Sequence, residues 1–245
     1  MRVISGKNPV IEAIKTNKAY KIYISKNIKY SDKKKFEELA DKYRIKKIFV
    51  KEDELDRITD ARSHQGVAVE AKDFEYKTIE DSIKLAEING EKPFLIILDQ
   101  ITDVNNLGSI IRSAECAGVH GVVIPKHRSA QINETVAKTS AGALELVNII
   151  QVTNINRTIE NLKDKGFWIY GADMNGDKYY YQENYDTPVA LVIGSEGTGI
   201  SRLVKENCDI IIEIPMKGKI NSLNASNAAS ILMFEVVKKR NENES

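Results

Sequence analysis

Three short segments carry the residue types and spacings with which this chain could do chemistry. ITDVNNLGSIIRSAECAG (101–118) follows the apolar run FLIILDQ (94–100) and sets Asn105 and Asn106 at a strand-to-helix turn, with Gly108 for close approach and Arg112 on the emerging helix. The six-residue step from Asn106 to Arg112 is just under two turns, so an amide and a guanidinium are expected on one side. GSEGTGIS (194–201) follows VALVIG (189–194), and three glycines in six residues at a helix entry make a loop whose backbone can line a ligand. Its Glu196 would repel a phosphate, so a hydroxyl-bearing or positively charged ligand suits it better. IPMKGKINSLNAS (214–226) follows DIIIEI and brings small polar residues to a helix start. There, N–H groups and a positive dipole end are expected to face the ligand. None of the three segments holds a His, so amide, carboxylate, hydroxyl and guanidinium groups must carry any function.

Singly, each segment also reads as a helix cap, a plain turn or a flexible joint. Their common placement decides otherwise. FLIILDQ, GVVIP (121–125), ELVNII (145–150), FWIYGAD (167–173), VALVIG and DIIIEIP (209–215) are short, continuous apolar runs, separated by helical stretches around 106–118, 154–165, 199–206 and 223–239. Such runs predict a parallel sheet covered on both faces. Ligands of open α/β sheets bind beyond the carboxyl ends of the strands, which is where all three segments fall.

Upstream lies a smaller α/β unit. GKNPVIEAIKTN (6–17) predicts a turn and a helix with Pro9 near its start, KIYISK (21–26) a strand, and 31–45 a helix capped by Ser31 or Asp32 with Phe36, Leu39, Ala40 and Tyr43 on one face. KKIFV (46–50), EDELDRIT (52–59) and GVAVEA (66–71) continue as strand, helix and strand. In RSHQGVAVEA, the loop residues Arg62, His64 and Gln65 could contact RNA bases or phosphates, and a solvated loop His is the plainer alternative. The charged stretch 72–93 predicts a linker with one helix from about Thr78 to Ile88, closed by Asn89-Gly90.

With 36 basic against 35 acidic residues, net charge gives no nucleic-acid signal. Cys116 and Cys208 lack metal or CxxC spacing and read as buried free thiols of a reducing compartment. MRVISGKNPV has no signal-peptide core and no apolar run reaches membrane-span length, so a cytoplasmic protein without a membrane partner is expected.

Together and in this order, NNLGSIIRSAECAG, KTSAGALELV (138–147), VIGSEGTGIS and IPMKGKINSLNASNAA resemble the SpoU/TrmH family of RNA ribose 2′-O-methyltransferases, over all of 94–240. GKNPVIEAI and RSHQGVAVEA extend the likeness to a small N-terminal domain similar to ribosomal protein L30e, found in the subgroup that modifies guanosine in 23S rRNA. The resemblance implies an RNA substrate-binding domain at 1–72, a linker at 73–92 and a catalytic domain at 93–245, whose parallel sheet carries a deep trefoil knot. It further implies S-adenosylmethionine bound within the knot and a homodimer; no metal is expected, because methyl transfer from a sulfonium does not require neutralising a phosphate leaving group. Carried over by motif, the catalytic set is Arg112, Asn106, Glu196, Ser222 and Asn224. The cofactor set is Gly194, Ile214, Met216, Leu223, Thr139 and Gly197, and the RNA-binding set is His64, Gln65, Arg62 and Lys7. Val104 stands where the family often has Pro, and Ala225 where it often has Val; both are turn or packing changes.

The resemblance makes Arg112 the base or its organiser. A guanidinium, with a pKa above about 12, is a poor base, so Arg112 is expected to bind the target phosphate and orient the 2′-hydroxyl. A tRNA 2′-O-methyltransferase, an antibiotic-resistance rRNA methylase and a catalytically silent RNA-binding or ribosome-assembly protein are the alternatives. A nicotinamide-binding fold lacks its glycine fingerprint after the first strand of the second domain.

Overall fold

The computed structural model describes residues 1–59 and 63–243. Its first stretch runs β1 (Arg2–Ser5), α1 (Lys7–Lys15), β2 (Ala19–Ser25), α2 (Tyr30–Lys42), β3 (Lys46–Val50), α3 (Glu52–Thr59) and β4 (Val67–Ala71). Then follow α4 (Ile79–Asn89), β5 (Phe94–Leu98), α5 (Val104–Cys116), β6 (Gly121–Pro125), α6 (Glu134–Thr139), β7 (Asn148–Val152), α7 (Ile155–Asp164) and β8 (Trp168–Ala172). The chain ends through β9 (Lys178–Tyr179), β10 (Val189–Ile193), α8 (Arg202–Glu206), β11 (Ile210–Glu213) and α9 (Ala225–Asn243). By contacts it divides into Met1–Glu75 with Asn133–Leu146, and Tyr76–Ile132 with Val147–Ser245.

The first unit is a four-stranded sheet in the order β1-β4-β2-β3, antiparallel except for the β2–β3 pair. Its core joins Val10, Ala13 and Ile14 of α1 and Phe36 and Ala40 of α2 to Ile22, Ile24, Val67 and Val69 of the sheet. The strand β1, too short to show alternation, was not anticipated; Arg2 to Ser5 pair with Ala71 to Ala68. Neither Ser31 nor Asp32 caps α2. That helix starts one residue earlier, its N-cap Lys29 makes no capping hydrogen bond, and Asp32 instead holds Lys7 Nζ at 2.7 Å. The segment 133–146 belongs here too, and the buried Glu145 carboxylate takes Arg2 at 2.6 Å and Lys18 at 3.0 Å. That ion pairing and a 3-10 turn over Ala143–Glu145 delay β7 to Asn148, three residues after the expected strand start.

In the second unit seven strands run in the order β7-β6-β5-β10-β8-β11-β9, every pairing parallel. All residues of β5 and β10 are buried, as continuous apolar runs require. Leu95, Ile97 and Val192 pack with Ile159 and Leu162 of α7 and Val204 of α8 on one face. Period-two alternation sends Ile96 and Leu98 to the other, where α5 and α9 meet and Ser230 Oγ bonds Ser113 Oγ at 2.8 Å. Within the stretch read as a linker, α4 carries a Thr78–Asp81 capping box and a left-handed Gly90 stop, and Ile79 and Ile83 pack on this core. No helix is long and apolar enough to cross a membrane among the described residues.

Candidate functional site

The connections after β8, β10 and β11 enclose a cleft of about 620 Å³. Its walls are Ala172 to Asn175, Ile193 to Gly199, Ile212 to Met216 and Asn221 to Leu223, with Lys205, Ala225 and Ala228.

The glycine loop closes on itself through backbone bonds and one pair of hydroxyls. Ser195 and Gly199 exchange N–H bonds of 3.1 and 2.9 Å, Gly199 sits at φ +65°, and the Ser195 and Thr198 hydroxyls bond at 2.7 Å. A Cβ on Gly194 would stand 2.0 Å from the Gly199 carbonyl carbon, so no other residue fits. From this loop Glu196 reaches across to two other segments. Its Oε1 accepts Asn106 Nδ2 at 2.8 Å, Asn224 Nδ2, and more distantly the Ala225 N–H at 3.4 Å. Asn224 Nδ2 also donates to Asn106 Oδ1 at 2.9 Å, which fixes both amide orientations. One carboxylate thus ties together the starts of α5 and α9 and the loop after β10.

Each partner is positioned by its own element. Asp103 caps α5 by accepting the Asn106 N–H at 2.8 Å, placing Asn106 in the first helical turn and not before it. Asn224 Oδ1 accepts the Ser226 N–H at 3.0 Å at the head of α9. The α9 N–H groups expected to face a ligand are therefore partly taken: Ala225 turns to Glu196 and Ser226 to Asn224. The positive helix end is met by a side chain of the chain itself.

Two supporting residues escaped the sequence reading. Asp99, buried at the end of β5, accepts the Ser201 N–H at 2.7 Å and anchors the far end of the glycine loop. Asp173 holds Lys205 at 2.9 Å across the cleft wall. Their only signal was an acidic residue at the carboxyl end of an apolar strand.

Comparisons with known proteins show which family the chain belongs to. Residues 93–234 match the SpoU rRNA Methylase family and residues 3–77 match the RNA 2′-O ribose methyltransferase substrate binding family. The chain belongs to the SpoU rRNA methylase family. It is 44% identical over 239 residues to YacO of Bacillus subtilis, assigned to the TrmH family of tRNA/rRNA methyltransferases, covering 97% of this chain and 96% of that one. A Staphylococcus aureus (strain MSSA476) relative of the same assignment is 44% identical over 244 residues, with 98% and 97% covered. The solved SpoU methyltransferase AviRb of Streptomyces viridochromogenes, in complex with AdoMet, superposes at TM-score 0.80 with 23% identity, over 98% of this chain and 90% of that one. A TrmH/SpoU tRNA modifying enzyme of A. aeolicus matches at TM-score 0.57 and 28% identity, over 63% of this chain and 78% of that one.

Within this SpoU-family chain, Asn106, Glu196 and Asn224 of the expected catalytic set come together. Ser222 lines the cleft, exposed. Arg112 does not join them: it is exposed, without an ion pair among the described residues. Six residues at 100° each leave the two side chains about 120° apart around α5, so the expectation of a shared side fails. Gly194, Gly197, Ile214, Met216 and Leu223 line the cleft; Thr139, in the first unit, does not.

A second cleft, of about 380 Å³, belongs to the first unit and is lined by Lys7, Ser25, Asn27, Ile28, Lys29, Asp32, Glu52, His64, Gln65 and Gly66. His64 is buried and not a solvated loop residue. Its Nδ1 accepts the Gly66 N–H at 2.9 Å, so Nε2 carries the proton and donates to Asp56 at 3.0 Å. Lys7 is paired with Asp32, and Gln65 Oε1 accepts the Lys7 N–H at 2.9 Å while its side chain stays exposed. Arg62 lies outside the described residues. Both thiols are free, but Cys116 is exposed, not buried, and burial pushes the Cys208 thiol up to about 12.

Proposed function

We propose that this protein transfers a methyl group from S-adenosylmethionine to a ribose 2′-hydroxyl of RNA, most specifically a guanosine of 23S rRNA. The observation that carries the reading is the cleft at the carboxyl ends of β8, β10 and β11, closed by the Asn106–Glu196–Asn224 network. Its volume of about 620 Å³ lies in the range of cofactor sites, and a Gly194 that tolerates no Cβ lets backbone come close. S-adenosylmethionine fits this wall, held by the backbone at Gly194, Ile214 and Leu223 with Gly197 and Met216 beside them. Bound there, it would supply an electrophilic methyl group on a sulfonium. Thr139 has no part in this assignment.

The remaining work belongs to side chains of this chain. Glu196, Asn106 and Asn224 keep three connections in register, and Ser222 presents a hydroxyl at the cleft. Arg112, uncommitted to any carboxylate, engages the phosphate of the target nucleotide and orients its 2′-hydroxyl. The first unit docks RNA, in keeping with its match to a substrate-binding family; Gln65 and the exposed Lys29 offer the free polar groups of its cleft. We take the chain to be threaded as a trefoil knot: β8 lies between β10 and β11, and the chain leaves β11 to pack α9 on α5. A cytoplasmic homodimer completes the reading, and Ile231 and Phe234 of α9, 37% and 48% exposed, offer a surface for the second copy.

Transfer of labelled methyl to purified 23S rRNA, 16S rRNA and tRNA in parallel, with the modified position mapped, tests the substrate. Label on a 23S guanosine is expected; label on tRNA alone would move the protein to the second reading, which the A. aeolicus likeness favours. Arg112→Lys should keep cofactor affinity by titration calorimetry and lose about 10²–10³-fold in turnover. Full turnover in that variant would remove Arg112 from the mechanism.

A further inference from the structure

The connection between β8 and β10 holds a group of aromatic side chains that none of the assigned roles uses. Strand β9 pairs in parallel with β11, Ile212 with Lys178 and Glu213 with Tyr179. Tyr179 is therefore level with the last residue of β11, one step before Ile214 of the cleft wall. Its ring stacks on Tyr181, centroids 5.5 Å apart and planes 24° from parallel, and Tyr180 meets Tyr181 edge-on at 5.3 Å. Tyr179 and Tyr181 remain 40% and 43% exposed.

This is a rigid display and not a mobile loop tip. Gln182 Oε1 accepts the Tyr179 N–H at 2.7 Å, Lys178 pairs with Glu183 at 2.6 Å, and the buried Tyr185 donates its hydroxyl to the Tyr180 carbonyl at 2.6 Å. Met174 and Asn175, earlier in the same connection, line the cofactor cleft, and Asn175 precedes Tyr179 by four residues. Past Ile214, Lys217 and Lys219 are exposed with no ion pair among the described residues. Two free cations beside a cleft suit a phosphate backbone, and a stacked aromatic pair suits the face of a base.

We propose that the Tyr179–Tyr181 pair is a stacking platform for an unpaired RNA base flanking the methylated nucleotide. It rests on the RNA-methyltransferase reading and narrows its substrate to a single-stranded or bulged segment, because a paired base offers no free face.

The test measures binding of the full-length protein to a single-stranded RNA of roughly 12 nucleotides and to its duplex by fluorescence anisotropy. Tyr179→Ala with Tyr181→Ala should weaken the single strand about 5- to 100-fold and leave the duplex and S-adenosylmethionine affinities unchanged. Tyr179→Phe with Tyr181→Phe should retain wild-type affinity. Unchanged single-strand affinity and KM in the Ala pair would overturn the platform. So would a sedimentation shift to a smaller species with RNA affinity retained, which would make the patch an interface between copies. Wild-type protein that bound RNA through these rings yet methylated none would sink the function reading and leave the platform standing.

Discussion

The two clefts of this protein contain similar residue types and use them in opposite ways. In the first unit, His64 and Lys7 spend their side-chain hydrogen bonds on Asp56, Gly66 and Asp32, and Gln65 Oε1 accepts the Lys7 N–H, so the exposed Gln65 amide N–H groups and Lys29 are what the cleft offers outward. In the second, Glu196 of the wall reaches out to Asn106 and Asn224 and Asp173 holds Lys205, while the backbone of Gly194, Gly197 and Gly199 lies along the wall. A cleft whose polar groups are consumed internally holds a loop in shape. One whose wall leaves backbone open can take a ligand.

Gly194→Ala attacks the second cleft at its tightest point. Displacing the Gly199 carbonyl should destabilise the protein by about 3 kcal/mol in denaturant unfolding and abolish S-adenosylmethionine binding in calorimetry. A variant that bound normally would mean the wall is not built on this contact. His64→Ala breaks the first cleft instead. Stranding the Gly66 N–H should lower stability by about 1–3 kcal/mol while RNA affinity of the folded protein holds. Loss of RNA affinity at unchanged stability would restore His64 to the RNA-binding set.

Glu196→Gln has a smaller thermodynamic effect, because the carboxylate is exposed: about 1 kcal/mol in a melting experiment, with a fall in turnover greater than that in cofactor affinity. The smallest effect is on pH dependence. His120 is buried, its Nδ1 accepts the Phe94 N–H at 3.1 Å, and its Nε2 faces Glu91 at 2.9 Å. Burial holds its pKa below the ordinary histidine value despite Glu91. The unfolded chain thus binds its proton more readily, so stability is full above about pH 6.5 and declines as pH falls through the lowered value. Melting temperature should drop over that window in wild type and less in His120→Gln.

The pattern of apolar runs was legible because strands buried on both faces have to be continuous, and β5, β6, β8, β10 and β11 all fall where FLIIL, GVVIP, WIYGA, VALVI and IIIE predict. The bounds of α4 were equally legible, since Thr78 and Gly90 are local signals. By contrast, β1 and the two-residue β9 exist only through partners distant in sequence, and α6 packs with β1, more than a hundred residues away.

Sequence by itself determined the family, the two-part organisation, the sheet-edge placement of the three motifs and the membership of Asn106, Glu196 and Asn224 in one site. Apolar periodicity is sufficient for the sheet-edge placement, whereas the family and the grouping of those three residues came through the likeness of the ordered motifs to a known family. Only the tertiary structure decided that His64 is a buried clamp, that Arg112 stands apart from Asn106, that Thr139 belongs to the first unit and that Asp99 anchors the glycine loop. The Asp99 contact joins residues 102 apart in sequence, and burial of His64 depends on the strands and helices that fold over its loop, so neither is recorded in a local pattern.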